Sequence, residues 1–376
     1  MSAFSLRRLA AIVVKEFIQL RRDRLTFAMM VGIPIIQMAL FGFAINGDPK
    51  ARPTAVVAHE QGTYTRSVLR ALENTGYFRI VASDFDEHAA DRALARGDVQ
   101  FVLTVRAGFA RAVLRGEHPP LLMEADATDP AATGNAIAAL LQLGATTLRH
   151  DLTGPAAQSA SAPPFEWIVQ RRYNPEGITQ YNVVPGLMGV ILTMTMIMMT
   201  ALGVTREVER GTMENLLATP VQPAEVMVGK IAPYIVIGYV QVAIILLAAK
   251  WVFGVPFEGS VATLMVGTLA FIAASLTVGI TISSVARNQI QAMQMTFFFF
   301  LPSILLSGFM FPFRGMPEWA QWIGTALPLT HFLRFIRGVM LKGNDWPQLW
   351  PHVWPLLVFT AVVLAVGLKR FRRTLD

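Results

Sequence analysis

The chain has 376 residues, of which 53% are hydrophobic and 15% are charged, and its mean hydropathy is +0.47. An ordinary soluble domain carries about 25% charged residues, so this composition excludes that class and indicates a membrane protein. The absence of cysteine excludes disulfides, thiolate metal sites and cysteine nucleophiles. The sequence contains no G-x-x-x-x-G-K-[ST] loop, the motif that binds the phosphates of ATP. Any process driven by ATP would therefore need an ATPase on another chain.

The net charge of +7 is unevenly distributed along the chain. Residues 46 to 180 hold 13 Lys and Arg against 15 Asp and Glu, which leaves 19 against 10 in the rest of the sequence. Those remaining basic residues flank apolar runs, where they are typical of topology signals. A pI near 10.0 would also suit a nucleic-acid-binding protein, but this placement favours a membrane and no nucleic-acid partner.

Residues 1–26 are predicted to form an amphipathic helix on the membrane surface. Apolar residues recur at helical spacing and most charges lie off that stripe. The apolar positions are Leu6, Leu9, Val13, Phe17 and Leu20. Residues 27–45 contain no charge and are predicted as the first transmembrane helix. A cleaved signal peptide is the alternative, which the length of this run and the polar residues ahead of it disfavour.

Residues 46–180 are predicted as an α/β domain inserted between the first two spans. Strand and helix patterns alternate along it, which is typical of a small α/β layer. Strand patterns occur at 54–58, 78–82, 100–105 and 121–125, and helical patterns at 63–74, 87–95, 107–115 and 131–150. Residues 151–164 are rich in Gly, Pro, Ala and Ser and are predicted as a linker back to the membrane.

Five further apolar runs complete a polytopic α-helical membrane protein of six spans. Each can cover about 30 Å at about 1.5 Å per residue. They lie at 181–204, 231–253, 261–286, 292–313 and 350–368. The basic residues around residues 1–26, 205–230 and 369–376 place those segments, and both termini, in the cytoplasm.

The segment 314–349 is then periplasmic, although it holds several basic residues that the positive-inside rule does not favour there. These residues are Arg314, Arg334, Arg337 and Lys342. We predict short helices at the outer interface, from which these side chains reach water.

The cytoplasmic segment 205–230 contains a charged, capped run at Val208–Pro220 that is predicted as a docking helix. Gly211 would break the incoming helix and Thr212 would cap the next one. Glu214 near the new N-terminus would complement the helix dipole by about 0.3 to 1 kcal/mol. A short helix held between two spans can transmit rigid-body motion, whereas an ordinary cytoplasmic loop, the alternative, could not.

The sequence offers little evidence for catalysis or metal binding. The inserted domain carries His59, His88, His118 and His150. None has a second ligand at a metal-site spacing, so they are interpreted as surface histidines. Asp126 and Asp129 could form an acid/base pair, but they are better explained as a strand end leading to a helix start at Pro130. We therefore predict no metal, no catalytic residue and no enzyme activity in this chain.

The spans contain features relevant to transport. Their interiors lack Asp and Glu, which disfavours an ion-coupled carrier. The spans at 181–204 and 292–313 are rich in Met and Phe, whose adaptable side chains could line a substrate pathway or simply contact lipid and neighbouring helices. Candidate pathway residues are Met188, Thr195, Met199, Gln294, Phe298 and Leu301.

Several short motifs occur in an order that is specific although each alone is weak. They are Lys15-Glu16-Phe17 followed by Arg22-Asp23, Tyr173-Asn174-Pro175-Glu176, Val184-Pro185-Gly186, Glu209 to Glu214, Leu327-Pro328-Leu329-Thr330 and Arg337-Gly338. By these motifs the chain resembles, from end to end, the permease subunits of ABC type-2 exporters with type V or ABCG-like architecture. The similar branch is bacterial and has a large periplasmic domain between the first two spans. His331 departs from the aromatic Tyr expected at its position.

The resemblance implies a function in the bacterial inner membrane. Two permeases, identical or paralogous, would pair with two ATP-binding cassette ATPase subunits that carry ATP and Mg, while this chain binds no cofactor itself. The dimer would export a drug-like, lipid-linked or ionic substrate by alternating access. Its further partners would be membrane lipids and a periplasmic membrane-fusion adaptor. The implied ATPase-coupling residues are Arg206, Glu207, Glu209, Arg210, Gly211, Thr212, Glu214, Leu217 and Pro220. The implied connecting-helix residues are Lys15, Glu16, Arg22 and Asp23.

Two other classes of protein stay open at this stage. A membrane-anchored sensor would bind a ligand on the inserted domain and signal inward, and a neighbouring gene for a kinase or regulator would indicate it. An ion-coupled secondary transporter would move its substrate without ATP.

Overall fold

A computed structural model describes most of the chain after residue 49. The described residues are 50–144, 146–148, 151–152, 163–211, 223–286 and 288–373, with isolated positions between 6 and 18. The predicted first span at 27–45 lies outside them. Glu16, Arg22, Asp23, Thr212, Glu214, Leu217 and Pro220 also lie outside them.

A five-stranded sheet forms the centre of the first domain. Its strands are β1 (Arg52–Ala58), β2 (Phe78–Ala82), β3 (Phe101–Val105), β4 (Pro120–Asp126) and β5 (Glu166–Arg172). They lie in the order β2-β1-β3-β4-β5, with every neighbouring pair parallel except β3 and β4. The strands alternate with α1 (Thr63–Asn74), α2 (Glu87–Arg96), α3 (Phe109–Arg115) and α4 (Pro130–Leu143).

Helices cover both faces of this sheet. Ala55 and Val57 of β1 pack with Leu94 of α2 on one face. Val56 points to the other face, where the core includes Leu72 of α1 and residues of α3 and α4. Because central strands are buried on both sides, their sequences are almost continuously apolar, as parallel strands in α/β layers usually are.

The structure contains a strand or helix at each position predicted in this domain, but the helix predicted at 131–150 ends at Leu143, and the sequence analysis missed β5. This strand pairs in parallel with β4, from Pro120 opposite Glu166 to Asp126 opposite Arg172. Only Trp167 and Val169 of β5 pack against the core, while Ile168 between them is 46% exposed and the last three residues of the strand are polar. An edge strand buries one face at most, so its apolar signal is short and was overlooked beside the predicted linker.

The second part of the chain is helical. It comprises α5 (Thr179–Glu209), α6 (Pro223–Trp251), α7 (Val261–Ser283), α8 (Gln289–Leu306), a 3-10 turn (Phe313–Gly315), α9 (Glu318–Ala326), α10 (Pro328–Met340) and α11 (Trp346–Arg373). In the described part of the chain, five helices are long and apolar enough to cross a membrane, namely α5, α6, α7, α8 and α11. They coincide with the predicted runs, although the run at 292–313 outlasts its helix, which ends at Leu306 before Gly308 takes a φ of +86°.

Glycines allow these helices to approach one another closely. A side chain at Gly267 of α7 would collide with the ring of Phe335 on α10. A Cβ at Gly279 would lie 2.7 Å from the Ile197 carbonyl oxygen of α5. Within a membrane the hydrophobic effect does not drive helices together, because lipid is as apolar as the helices are. Small residues let the helix backbones approach closely, so that van der Waals packing can hold them together.

The segment 314–349 is helical as predicted, and α10 is buried within the helical bundle instead of lying on its surface. It packs against α5, α7 and α11, and its Phe332 ring stacks on Phe271 of α7 with centroids 4.1 Å apart. His331 is also buried, and its Nε2 lies 2.8 Å from the Thr325 carbonyl oxygen at the end of α9. Burial lowers the pKa of His331, so the ring is neutral at physiological pH.

Candidate functional site

The charged end of α5 continues directly from its apolar part. Arg206, Glu207 and Glu209, which were predicted in a loop after the span, lie in the last turns of the helix. The Arg210 amide still donates to the Arg206 carbonyl at 3.1 Å, and Gly211 then takes a φ of +65°. Glycine adopts that conformation at little cost, so the predicted helix break at Gly211 is confirmed.

Glu209 joins the end of α5 to the start of α8. Its Oε1 accepts from the Gln289 amide at 2.8 Å, and its Oε2 accepts from Gln289 Nε2 at 2.5 Å. Gln289 is the first residue of α8, where backbone amides lack intrahelical partners and attract a carboxylate. The two hydrogen bonds lower the pKa of Glu209, which therefore stays ionised near neutral pH.

Glu207 connects the same end of α5 to the N-terminal segment. Its Oε1 lies 3.6 Å from Lys15 Nζ, and the Glu207 side chain is only 10% exposed. A carboxylate so shielded needs a nearby cation, and Lys15 supplies one. Lys15 and Glu207 were assigned to two separate elements of the sequence, and the structure brings them together. We call Lys15, Arg206, Glu207, Glu209 and Gln289 the charged corner.

The predicted pathway residues fall into two groups, of which one is buried in the helical bundle and the other is exposed. Met188 and Met199 of α5 are buried in the bundle core. Thr195 is also buried, and its Oγ1 donates to Gln241 Oε1 of α6 at 2.8 Å. A hydrogen bond of this kind ties two helices together within the bundle. These three residues therefore serve helix packing inside the chain.

The other three pathway residues lie on an exposed face of α8. Phe298 is 81% exposed, Leu301 is 53% exposed, and Gln294 also lies on the surface. Positions 294, 298 and 301 follow helical spacing, and exposed apolar residues 297 and 305 extend the same stripe. We call residues 294, 297, 298, 301 and 305 the α8 face.

At the opposite end of the bundle, the sheet domain is joined to the segment after α8 by buried polar contacts. Lys342 Nζ lies 2.6 Å from Asp126 Oδ2, and each side chain is 7% exposed. Lys342 also donates to the Leu94 carbonyl at 3.1 Å, and Asn344 Nδ2 donates to the Ala95 carbonyl at 3.0 Å. Sequence reasoning missed this junction, because its partners are more than 200 residues apart and carry no shared pattern.

The chain between the sheet and α5 is short and ordered. Asn174 Oδ1 accepts from the Ile178 amide at 3.0 Å, and its Nδ2 donates to the Ile178 carbonyl at 2.9 Å. Tyr173 before it has a φ of +68° and lies under Lys342, whose Nζ is 5.0 Å from the ring centroid. Burial, with Asp126 nearby, raises the pKa of Tyr173 to about 12. The motif at 173–176 therefore fixes the entry into α5.

Comparisons with known proteins agree with this architecture. A family model described as "ABC-2 family transporter protein" matches residues 24–369. The chain belongs to the ABC-2 family of transporter proteins, and it is a multi-pass membrane protein. "Probable multidrug ABC transporter permease YbhS" of Escherichia coli is 28% identical over 99% of this chain and 98% of its own length.

A second relative comes from Bacillus subtilis. "Linearmycin resistance permease protein LnrN" is 22% identical over 98% of this chain and 100% of its own length. A crystal structure of a domain of a putative ABC type-2 transporter from Thermotoga maritima covers 32% of this chain and 85% of that chain. It matches at 18% identity and a TM-score of 0.28, which is too low to support an argument.

Reversing the Lys15–Glu207 pair tests the charged corner. Lys15→Glu or Glu207→Lys alone should lower the melting temperature of the purified protein by roughly 2–4 °C, because a shielded charge loses its partner. The double reversal should recover most of that loss. The exposed pair Arg115–Glu117, also at 3.6 Å, is the control, and its reversal should have no measurable effect. A double variant no more stable than either single variant would contradict the pairing.

Proposed function

We propose that this chain is the permease subunit of an ATP-driven exporter, in which two permeases pair with two ATP-binding cassette subunits. The observation that carries the proposal is the charged corner on α5 and α8 in a chain of the ABC-2 family. ATP and Mg would be held by the partner subunits, and this chain would convert their motion into alternating access. The proposed site is the bacterial inner membrane, where a periplasmic adaptor could also associate.

The substrate that we propose is a drug-like, largely apolar molecule. One relative is named as a probable multidrug permease and another as a linearmycin resistance permease. An apolar substrate is also compatible with the α8 face, whose exposed side chains are mostly aromatic or aliphatic. Such a face would bind an apolar molecule through shape complementarity and apolar contacts, without requiring a specific hydrogen bond.

The charged corner provides a mechanical route for this function. Glu209 holds the start of α8 at the end of α5, so a displacement of that end would move both helices together. Lys15 would add the N-terminal segment to the same moving unit. The backbone joint lies at Gly211, beyond which the ATPase-docking residues Thr212, Glu214, Leu217 and Pro220 are proposed to follow.

Substitution of Gly211 tests the coupling role. Gly211→Pro cannot keep a φ of +65°, so the purified complex should hydrolyse ATP without export or should lose its ATPase subunits. Gly254→Pro is the matched control, because Gly254 has a φ of +62° at the other end of α6. We expect Gly254→Pro to retain the ratio of export to hydrolysis. Normal ATP-driven export by Gly211→Pro in reconstituted vesicles would exclude the coupling role.

In the proposed topology both termini and the charged corner are cytoplasmic, and the sheet domain is periplasmic. The native chain lacks cysteine, so single cysteines can report the side of each segment. Glu73→Cys on the exposed surface of α1 should react with a membrane-impermeant maleimide in spheroplasts. Thr219→Cys should react only after the membrane is opened. The reverse pattern of labelling would overturn the topology.

We further propose that the substrate path runs along the α8 face, between two copies of the chain. Leu301→Trp should reduce ATP-driven export about tenfold or more, because overpacking by one large ring costs about 1–3 kcal/mol. Val362→Trp on α11 is the control, since Val362 is 58% exposed against 53% for Leu301. Equal export by the two variants, measured with the same substrate at equal expression, would place the path elsewhere.

A further inference from the structure

A cavity of about 190 Å³ lies where the sheet domain meets the segment that follows α8. Its lining combines residues from both parts of the chain and is strongly basic. The cationic lining residues are Arg52, Arg96, Arg314, Arg334, Arg337 and Lys342. The carboxylates in the lining are Asp98, Asp126 and Asp129. With all of these groups ionised, three positive charges are left in excess.

Much of the lining is already engaged in the junction. Asp126 binds Lys342 at 2.6 Å, so this carboxylate is shared with a cation. Arg314 donates through Nη2 to the carbonyls of Gly97 and Asp98, at 2.6 and 3.1 Å. These contacts engage Lys342 and Arg314, and Arg52 of β1 donates through Nη1 to Gln100 Oε1 at 2.8 Å. They do not account for the two arginines of α10.

Two donors of Arg337 are not engaged by the junction. Its Nε and Nη2 are both shielded from solvent and have no hydrogen-bond partner among the described residues. Its Nη1 lies 3.5 Å from the Gly308 carbonyl, at the outer limit of a hydrogen bond. Burial lowers the pKa of Arg337, although Asp129 and Asp126 oppose that shift. A shielded guanidinium with two free donors is costly unless an anion meets it.

Arg334 adds a second cation to the same cavity. Its guanidinium lies over the Phe313 ring, 4.6 Å from the centroid, which holds the side chain in place. Burial, followed by repulsion from Arg314 and Arg337, lowers the pKa of Arg334 to about 10. It therefore stays charged at neutral pH. Paired arginines present rigid forks of donors that match the oxygens of a phosphate group.

Exposed tryptophans indicate the depth of this cavity. Two lie on α9 and three near the start of α11, and all are well exposed in the single chain. They are Trp319, Trp322, Trp346, Trp350 and Trp354. Such residues mark the boundary between a membrane and water. His352, which lines the cavity, lies between Trp350 and Trp354 on α11, so the cavity is at the level of lipid headgroups.

We propose that this cavity is a binding site for an anionic phosphate group, held by Arg337 and Arg334, and that a phospholipid headgroup is its occupant. Inorganic phosphate has the same chemistry, so an experiment has to distinguish the two sources. The bound anion would neutralise part of the charge excess and would hold α10 against the sheet domain. The proposal is independent of the exporter function.

Thermal unfolding of the delipidated full-length chain tests this site. Phosphatidylglycerol should raise the melting temperature of the wild-type protein, and zwitterionic phosphatidylcholine should raise it much less. Arg337→Gln and Arg334→Gln should each weaken the apparent affinity for phosphatidylglycerol about tenfold or more, through loss of charge-assisted hydrogen bonds. Arg70→Gln, at an exposed position on α1, is the control and should bind as the wild type does.

The lipid-free proteins separate binding from a structural role. Without lipid, Arg337→Gln should be at least as stable as the wild type, because the variant removes an uncompensated charge. Stabilisation by inorganic phosphate that Arg337→Gln abolishes would support the phosphate site but assign a soluble occupant. Equal responses to the two lipids, an unchanged response in Arg337→Gln, or a large loss of stability in lipid-free Arg337→Gln would each overturn the proposal.

Discussion

The rest of the structure depends on the continuity of α5. Its 31 residues span about 46 Å as one helix, because a membrane interior forces backbone amides to find partners within the segment. At one end, the Asn174 side chain fixes the entry from the sheet domain, and at the other Gly211 ends the helix beside the charged corner. Since α6, α7, α8 and α10 all pack against it, α5 is the element through which the two ends of the molecule are connected.

The charged groups at the two ends of the helical bundle differ in their exposure to solvent. At the charged corner Glu209 is exposed, so solvent screens its contact with Gln289 and that contact can be remade during a conformational change, whereas the Glu207 side chain beside Lys15 is only 10% exposed. At the junction with the sheet domain, Lys342 and Asp126 are shielded, and separating them would leave two unpaired charges. The junction with the sheet domain is therefore the stiffer of the two, and the helical ends near Glu209 are the better candidates for movement.

The local sequence pattern was sufficient to predict most helices and strands, but it did not predict the contacts between them. Apolar length predicted α5, α6, α7, α8 and α11, and alternation predicted four of the five strands, because these signals repeat within a few residues. The edge strand β5 packs only the partly buried Trp167 and Val169 against the core and gave too short a signal. The pairs Lys15–Glu207, Glu209–Gln289 and Asp126–Lys342 join residues far apart in sequence, and no single-residue property identifies a partner. Burial of α10 was hidden for the same reason, since its arginines indicated a surface helix.

The contacts made by other basic residues after α8 also explain why the positive-inside rule alone describes this segment poorly. The positive-inside rule counts Lys and Arg in short loops and takes no account of the partners that these residues find in the folded protein. Here Arg314 and Lys342 donate to backbone carbonyls of the sheet domain, and Lys342 is also neutralised by Asp126. Their charges are thus part of a folded interface, which offsets their cost in the proposed orientation. The sheet domain supplies carbonyls and a carboxylate that pair with basic residues of the segment after α8. Arg337 is the exception, because its Nε and Nη2 have no hydrogen-bond partner among the described residues.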